Sequence, residues 1–150
     1  MKKIITILLA FLFLADCGYT PIYSTKNFNF KIKSITTAKS DLLNSKVEKR
    51  LRLLSNSESQ KIISLKVDTK KQINVLAKNS KGNPSRYEMI ISIGLQTKHG
   101  QNQDMNQFFQ EGFSYNTNAN KFELNQYKKE IEDFLINKNI DRIINYLSKI

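Results

Sequence analysis

The sequence predicts an α+β fold, a two-layer sandwich in which two helices pack on one face of a four-stranded, mostly antiparallel sheet. Three observations support this: segments that alternate apolar and polar residues, segments whose apolar residues recur every three or four positions, and their order along the chain. The order is strand, helix, three strands, helix, which is typical of α+β domains. The sheet face away from the helices is expected to be more polar.

The first strand is predicted at residues 27–35, where Phe28, Phe30 and Ile32 alternate with polar residues. Ser40 and Asp41 then offer an N-cap for a helix. The apolar residues of this helix fall on one face at spacings of three and four, and its basic residues are expected to face outward. The apolar set is Leu42, Leu43, Val47, Leu51 and Leu54, and the basic set is Lys46, Lys49, Arg50 and Arg52.

Three further strands are predicted between residues 61 and 115. Alternation over residues 61–70 continues through Ile73, Val75 and Ala77, and residues 78–85 form a turn that contains Gly82 and Pro84. The next strand covers residues 86–98, and a polar connection leads to a fourth strand at residues 107–115. This last strand carries four aromatic residues that serve either the core or a surface that meets a partner: Phe108, Phe109, Phe113 and Tyr115.

A final helix is predicted from residue 118 to the end of the chain. Its apolar residues follow a helical period, and we expect one helix despite the Asn-Lys-Asn stretch at residues 137–139. The apolar positions are Phe122, Leu124, Tyr127, Ile131, Phe134, Leu135, Ile140, Ile143, Ile144 and Leu147. No linker or repeat interrupts the chain after residue 26, so residues 27–150 are predicted to form a single domain.

The N-terminus has the pattern of an export signal that ends at a cysteine. Lys2 and Lys3 precede an apolar run over residues 4–14, which is too short to span a bilayer but suits a signal peptide. We therefore predict a signal peptide at residues 1–16 and a tether at residues 17–26. Cys17 is the only cysteine of the chain, so it pairs with another chain, stays unused or is modified.

Modification of Cys17 is the interpretation that its position favours. Leu14, Ala15, Asp16 and Cys17 resemble the lipobox of bacterial lipoproteins, in which the thiol receives a diacylglycerol. Asp16 departs from that pattern, which has a small neutral residue before the cysteine. Gly18 follows, which resembles the pattern of lipoproteins passed on to the outer membrane. Lipidation at Cys17 would hold the protein at a membrane without a transmembrane helix.

The chain is strongly basic, with a formal net charge of +11. In an exported protein such charge favours anionic lipid head groups, phosphorylated glycolipids or cell-wall polymers as partners, although a Lys-, Asn- and Ile-rich composition also raises it without any partner. Basic domains often bind nucleic acid. Because the chain carries an export signal, we predict that nucleic acid is not a partner.

Residues for catalysis or metal binding are scarce. The single histidine, His99, lies in a polar connection and is expected to be solvated. No second histidine or cysteine is available to complete a metal site, and the five glycines are too far apart for a phosphate-binding loop. We predict a protein that is not an enzyme and binds no cofactor or metal.

A group of carboxylates on the last helix has an ordinary explanation. Glu130, Glu132 and Asp133 alternate with Lys128 and Lys129 at helical spacing. Such spacing usually produces a solvated, salt-bridged helix face rather than an acid–base pair. We expect these residues to pair with one another.

Residues 17–23, Cys-Gly-Tyr-Thr-Pro-Ile-Tyr, together with the order of the elements, resemble the LPS-assembly lipoprotein LptE family. The stretch is similar to the Cys-Gly-aromatic-X-Pro-aliphatic-Tyr start of its members, and residues 113–116, Phe-Ser-Tyr-Asn, which lead into the final helix, are also similar. The likeness covers the whole chain by order of elements and is specific at residues 17–23.

The resemblance implies a function as well as a fold. Members of the family are anchored in the outer membrane on its periplasmic side, fill the lumen of the β-barrel LptD, help it assemble, and bind lipopolysaccharide without catalysis. No motif identifies the lipid-binding residues, so we select the basic residues around the turn at 78–85, which are Lys78, Lys81 and Arg86. A solvated turn is the alternative there. The rival function is that of another outer-membrane or periplasm-facing lipoprotein that assists barrel or envelope assembly.

Overall fold

The computed structural model describes residues 28–98 and 105–150 of the chain. The predicted order of strand, helix, three strands and helix is confirmed. The elements are β1 (Lys31–Thr37), α1 (Leu42–Arg52), β2 (Ile62–Lys78), β3 (Pro84–Lys98), β4 (Met105–Asn116) and α2 (Lys121–Leu147).

The strands form one mixed sheet in the order β1-β2-β3-β4. The strand β1 runs parallel to β2, with α1 as the crossover between them, while β2, β3 and β4 are antiparallel neighbours. The hairpin of β2 and β3 is long, with pairs that extend from Ser64 and Lys98 to Lys78 and Pro84. In contrast, β1 stops opposite Val67, so the distal half of the hairpin extends past it.

Both helices pack on the same face of the sheet and share one core. The helix α1 contacts β1 and β2, and α2 contacts β3 and β4. Val47 and Leu51 of α1, Ile91 of β3, and Leu135 and Ile143 of α2 are all buried in one cluster. Burying each such side chain contributes about 1.5–3 kcal/mol, which makes this layer the main source of stability.

Side-chain caps begin both helices, as the sequence indicated for α1. Asp41 Oδ1 accepts a hydrogen bond from Asn44 N at 2.8 Å. The side chain of Asn120 accepts from the backbone nitrogens of Phe122 and Glu123. These bonds satisfy N–H groups that have no partner within a helix.

The helix α2 continues without a break through residues 137–139, because its second asparagine is part of the core. Asn139 is buried, and its Nδ2 donates to Ile91 O at 3.0 Å and to Leu135 O at 3.1 Å. The first of these bonds joins the helix to β3, and the second uses the other N–H of the amide within the helix, while Oδ1 has no partner among the described residues. The poor helix propensity of asparagine is thereby outweighed by tertiary contacts.

The start of the first strand differs from the prediction. β1 begins at Lys31 instead of residue 27, and Phe28 and Phe30 are buried ahead of it. Asn56 holds this segment, since its Nδ2 donates to Phe28 O and its N donates to Phe30 O, each at 3.0 Å. A register shift between Ile32 and residue 34 then turns Ile35 towards the core. Phe28 and Phe30 are therefore buried as their alternation with polar residues suggests, but the pairing of β1 with β2 begins only at Lys31.

The prediction of which helix residues are buried was wrong at the first turn of each helix. Leu42 is 85% exposed and Phe122 is 75% exposed, although both fall on the apolar face of their helix. Helical periodicity defines a face but does not say how far the neighbouring element reaches along it. Asn44, a polar residue, is buried in α1 instead.

Candidate functional site

The tip of the β2–β3 hairpin is an ordered turn that carries basic residues. Asn79 Oδ1 accepts hydrogen bonds from Lys81 N and Asn83 N, each at 3.0 Å, and Asn79 O accepts from Gly82 N at 2.9 Å. Gly82 has a φ of 80°, which a residue without a Cβ adopts at little cost. The turn therefore presents Lys81 at a defined position.

The three basic residues selected from the sequence all lie at this end of the molecule. Lys78, Lys81 and Arg86 are exposed, and none of their side chains bonds to another residue within the part of the chain that the structure describes. Arg86 is paired in the sheet with Ala77 on one side and Asn116 on the other. The structure groups the three charges on one hairpin, and Arg86 faces a cleft.

That cleft lies between the ends of β3 and β4 and the first two turns of α2. It has a volume of about 700 Å³, and Arg86, Asn116, Asn118 and Glu123 give it a polar lining. Glu123 is occupied, since it accepts hydrogen bonds from Asn118 Nδ2 at 3.0 Å and from Asn120 Nδ2 at 2.8 Å. The guanidinium of Arg86 is therefore available to an anionic group.

Tyrosines form the apolar side of this cleft. Tyr115 stacks on Tyr87 with ring centroids 5.6 Å apart and meets Tyr127 edge-on at 6.5 Å. Burial raises the pKa of Tyr115 above its ordinary value of 10.0, and neighbouring Tyr87 raises it further. The phenol stays protonated at neutral pH, so this cluster packs the cleft and supplies no base.

Two of the three carboxylates considered on α2, Glu132 and Asp133, pair with other elements, which corrects the sequence interpretation. Glu132 accepts hydrogen bonds from Lys46 Nζ of α1 and from Lys71 Nζ of β2, each at 2.7 Å. Asp133 Oδ1 accepts from Arg50 Nη2 of α1 at 2.9 Å. The expected partners, the lysines at 128 and 129, lie on the same helix, whereas the observed bonds join three elements.

The pKa values of this ion cluster fit a structural role. Burial raises the pKa of Glu132, but the hydrogen bonds and charges of Lys46 and Lys71 outweigh it, so the pKa lies below its ordinary value of 4.5. The hydrogen bond to Glu132 raises the pKa of Lys46 above 10.5. Glu132 and Lys46 are therefore both charged at neutral pH, so neither is poised to act as a general acid or base.

The sheet face away from the helices, here called the open face, is mostly uncharged and polar. The alternation of β2, β3 and β4 assigns these residues to it: Lys66, Asp68, Lys70, Gln72, Asn74, Glu88, Ile90, Ser92, Gly94, Gln96, Phe108, Gln110, Gly112 and Ser114. This confirms the polar second face that the fold class predicted.

Phe108 is the more exposed of the two large apolar residues assigned to the open face, the other being Ile90. Phe108 is 64% exposed and pairs across the strands with Gly94, whereas its neighbour Phe109 is buried in the core. Phe109 and Tyr115 thus serve the core, whereas a partner for the exposed Phe108 stays a prediction. Two adjacent aromatic residues in a strand must point to opposite faces, so the sequence already contained this signal.

Several predictions concern residues outside the described ranges. The signal peptide, the tether, Cys17 and His99 all lie there. Within residues 28–98 and 105–150, no group of three or more His, Cys, Asp or Glu side chains is placed to hold a metal ion. Neither described helix combines the length and apolar character needed to cross a membrane.

Comparison with known proteins identifies the fold. A crystal structure of the rare lipoprotein B from Shewanella oneidensis superimposes with a TM-score of 0.60 at 15% identity, over 79% of this chain and 94% of that chain. A minor lipoprotein from Acinetobacter baumannii gives a TM-score of 0.57 at 16% identity, over 81% of this chain and 92% of that chain.

A third solved structure agrees with these two. It is that of an uncharacterized lipoprotein B from Nitrosomonas europaea, with a TM-score of 0.59 at 13% identity, over 79% of this chain and 83% of that chain. No family model matches the sequence, and no curated protein matches it either. The chain therefore shares the fold of these bacterial lipoproteins over most of its length.

Proposed function

We propose that this chain is an outer-membrane lipoprotein of the LptE family that plugs the LptD β-barrel, helps it assemble and binds lipopolysaccharide. The observation that carries the proposal is the fold shared with solved bacterial lipoproteins over 79% and 81% of the chain. The family-like stretch at residues 17–23 supports it independently. The role is one of binding and assembly, without catalysis.

The anchor of the proposal is Cys17. Each buried methylene of a lipid chain contributes about 0.8 kcal/mol, and two or more acyl chains anchor a protein stably. The diacylglycerol on the thiol would keep the domain on the periplasmic side of the outer membrane. The domain itself then needs no apolar surface for the membrane.

The surface of the domain suits a plug. The lumen of an outer-membrane barrel is polar, so an element inside it must present polar groups. Glutamine, asparagine and serine side chains of the open face can exchange hydrogen bonds with such a wall at little cost in desolvation, for example Gln72, Ser92, Gln96 and Gln110. The core on the other face is already closed by α1 and α2.

Lipopolysaccharide recognition is assigned to the hairpin tip. The phosphates of lipid A carry negative charge, and charge-assisted hydrogen bonds to phosphate are stronger than neutral ones. Lys78, Lys81 and Arg86 lie together at the tip, and their side chains have no partner among the described residues. Arg86 also lines the cleft beside α2, and a guanidinium can bind a phosphate through two parallel hydrogen bonds.

The assembly role is tested by purification from the outer membrane. We expect the tagged full-length chain, extracted in detergent, to co-purify with LptD, and its N-terminal peptide to show the mass of an acylated Cys17. The matched control Cys17→Ser retains the fold and loses the acyl mass. A chain that is found unacylated in the soluble fraction contradicts the proposal, and a different barrel as the co-purified partner favours the rival accessory function.

Replacing the tip charges should weaken lipopolysaccharide binding. The test variant combines Lys78→Gln, Lys81→Gln and Arg86→Gln. Each charge-assisted contact to phosphate that is lost costs about 1.5–3 kcal/mol of binding free energy. We therefore expect the affinity for lipopolysaccharide to fall at least about tenfold. The measurement is retention of lipopolysaccharide by the immobilised protein over a concentration series.

The matched control removes the same charge elsewhere. Lys39→Gln, Lys129→Gln and Lys149→Gln combined change three exposed lysines away from the hairpin. Equal losses in the two triple variants would show a dependence on net charge alone. Unchanged retention in the tip variant would remove the hairpin assignment and leave the family assignment intact.

A further inference from the structure

The outer edge of the distal half of β2 is open among the described residues. β1 pairs with β2 only as far as Val67, and β3 covers the opposite edge of β2. Residues 70–78, here called the free edge, continue the strand with no described strand on their outer side. An uncovered edge is a ready template for another strand.

Two hydrogen bonds fix which backbone groups of β2 point outward. Val67 O accepts from Ala38 N at 3.0 Å, and Thr69 N donates to Asn44 Oδ1 at 2.9 Å, both on the side away from β3. Neighbouring residues of an antiparallel strand alternate in this direction. Lys71, Ile73 and Val75 therefore direct their N–H and C=O groups outward as well, ahead of the irregularity that begins after Val75.

The side chains of the free edge favour strand addition. Residues 72–77, Gln-Ile-Asn-Val-Leu-Ala, carry no charge and contain neither proline nor glycine. Ile73 is 46% exposed, and Val75 and Leu76 are each 48% exposed. Short uncharged segments rich in β-branched and aliphatic residues are those that pair most readily with an added strand.

Charge decides which strand the free edge accepts. Lys70 and Lys71 precede the uncharged segment, and Lys78 and Lys81 follow it. Antiparallel pairing with a second copy, centred on Asn74, would bring Lys70 of each copy beside Lys78 of the other, and like charges across strands are destabilising. The lysines thus oppose self-pairing and attract a strand with acidic ends.

We propose that the free edge binds an extended segment of a partner protein as a fifth strand, with apolar residues at alternate positions and acidic residues at both ends. Main-chain hydrogen bonds to Lys71, Ile73 and Val75 supply affinity, and the flanking lysines supply selectivity. The inference goes beyond the proposed function, because it needs neither the lipid anchor nor lipopolysaccharide.

A synthetic peptide tests this directly. We expect the fluorescent peptide EETVTVTVEE to bind the full-length chain in detergent, and the peptide KKTVTVTVKK to bind at least tenfold or so more weakly, because its ends repel the lysines. Binding should also slow amide hydrogen exchange at the outward N–H groups of Lys71, Ile73 and Val75. Equal binding of both peptides, or exchange protection located elsewhere, would overturn the proposal.

Ile73→Pro tests the edge itself. It removes an outward N–H without removing a hydrogen bond to β3, so the sheet is retained while strand addition is blocked. The control Ile73→Thr keeps the N–H and a β-branched side chain. We expect about a tenfold loss of EETVTVTVEE binding in the proline variant and little change in the threonine variant. Equal binding by the two variants would count against a main-chain contact.

A second variant, which changes charge instead of the backbone, tests the proposal even if Ile73→Pro unfolds the hairpin. Lys70→Gln and Lys78→Gln combined should bring the affinities of the two peptides together while the fold is kept. A protein that elutes as a dimer and excludes both peptides would mean that a second copy occupies the edge, which overturns the proposal. None of these outcomes bears on co-purification with LptD, so the two proposals fail separately.

Discussion

At the scale of single residues, two buried asparagines join the helices to the sheet. Asn44 of α1 accepts from Thr69 N of β2, and Asn139 of α2 donates to Ile91 O of β3. Both side chains are fully buried. Each bond therefore replaces a hydrogen bond to water that the backbone group loses on burial. These contacts fix the position of each helix along its strand, which apolar packing alone defines less sharply.

Asn44→Ala should therefore lower stability more than a typical polar substitution. It leaves the buried N–H of Thr69 without its acceptor, which costs about 1–3 kcal/mol in the free energy of unfolding. Urea denaturation followed by circular dichroism measures this. Asn145→Ala, at an exposed position of α2, serves as the control and should change stability by less than about 0.5 kcal/mol. If Asn44→Ala lowered the free energy of unfolding no more than Asn145→Ala, the hydrogen bond of Asn44 would not stabilise the contact between α1 and β2.

At the scale of elements, one ion cluster fastens α1, β2 and α2 together. Glu132 bonds to Lys46 and Lys71, and Asp133 bonds to Arg50. The carboxylate of Glu132 is only 14% exposed, so it depends on its two lysines for solvation. A buried carboxylate without partners would be costly, which explains why the lysines approach from both sides.

The cluster predicts a pH dependence of stability. The folded-state pKa of Glu132 lies below its ordinary value of 4.5. Its stabilising contribution is therefore present above that value and is lost as the pH falls through the folded-state pKa. Glu132→Gln should be less stable than the parent at neutral pH, and the difference should narrow below about pH 4.5. Urea denaturation across this range measures it.

Glu130→Gln is the matched control for that experiment. Glu130 is exposed on the same helix, and its side chain has no partner among the described residues. We expect its substitution to change the free energy of unfolding by less than about 0.5 kcal/mol at neutral pH, as at other exposed positions. If the difference in the free energy of unfolding between Glu132→Gln and the parent were the same at every pH, protonation of Glu132 would not be linked to folding.

At the scale of the whole molecule, the two faces of the sheet have different tasks. The helix face holds the core, and the open face is a mostly polar surface interrupted by Ile90 and Phe108. The hairpin of β2 and β3 extends past β1, which places the basic tip and the free edge at the same end. A domain of this shape presents the basic tip and the free edge on a hairpin that extends beyond the part of the sheet paired with β1.

Much of this could be predicted from the amino-acid sequence, because strand and helix periods and caps are local properties. The alternation through Ile73 and Val75 predicted one long β2, Asp41 marked the start of α1, and the apolar period of α2 survived Asn139. The cleft beside Arg86 could not be predicted, because its walls come from β3, β4 and α2. Their positions depend on packing between elements that are distant in sequence.

By itself, the sequence determined the order of the elements and the polar second face, and it predicts an export signal that ends at Cys17, outside the described residues. Only the tertiary structure decided that Leu42 and Phe122 stay exposed, that Glu132 pairs with α1 and β2, and that β2 keeps a free edge. The apolar period of a helix or strand depends on the order of its own residues, so it can be predicted from the sequence. Whether an apolar side chain or a strand edge is covered depends on where the neighbouring elements end. Only the folded chain specifies those positions.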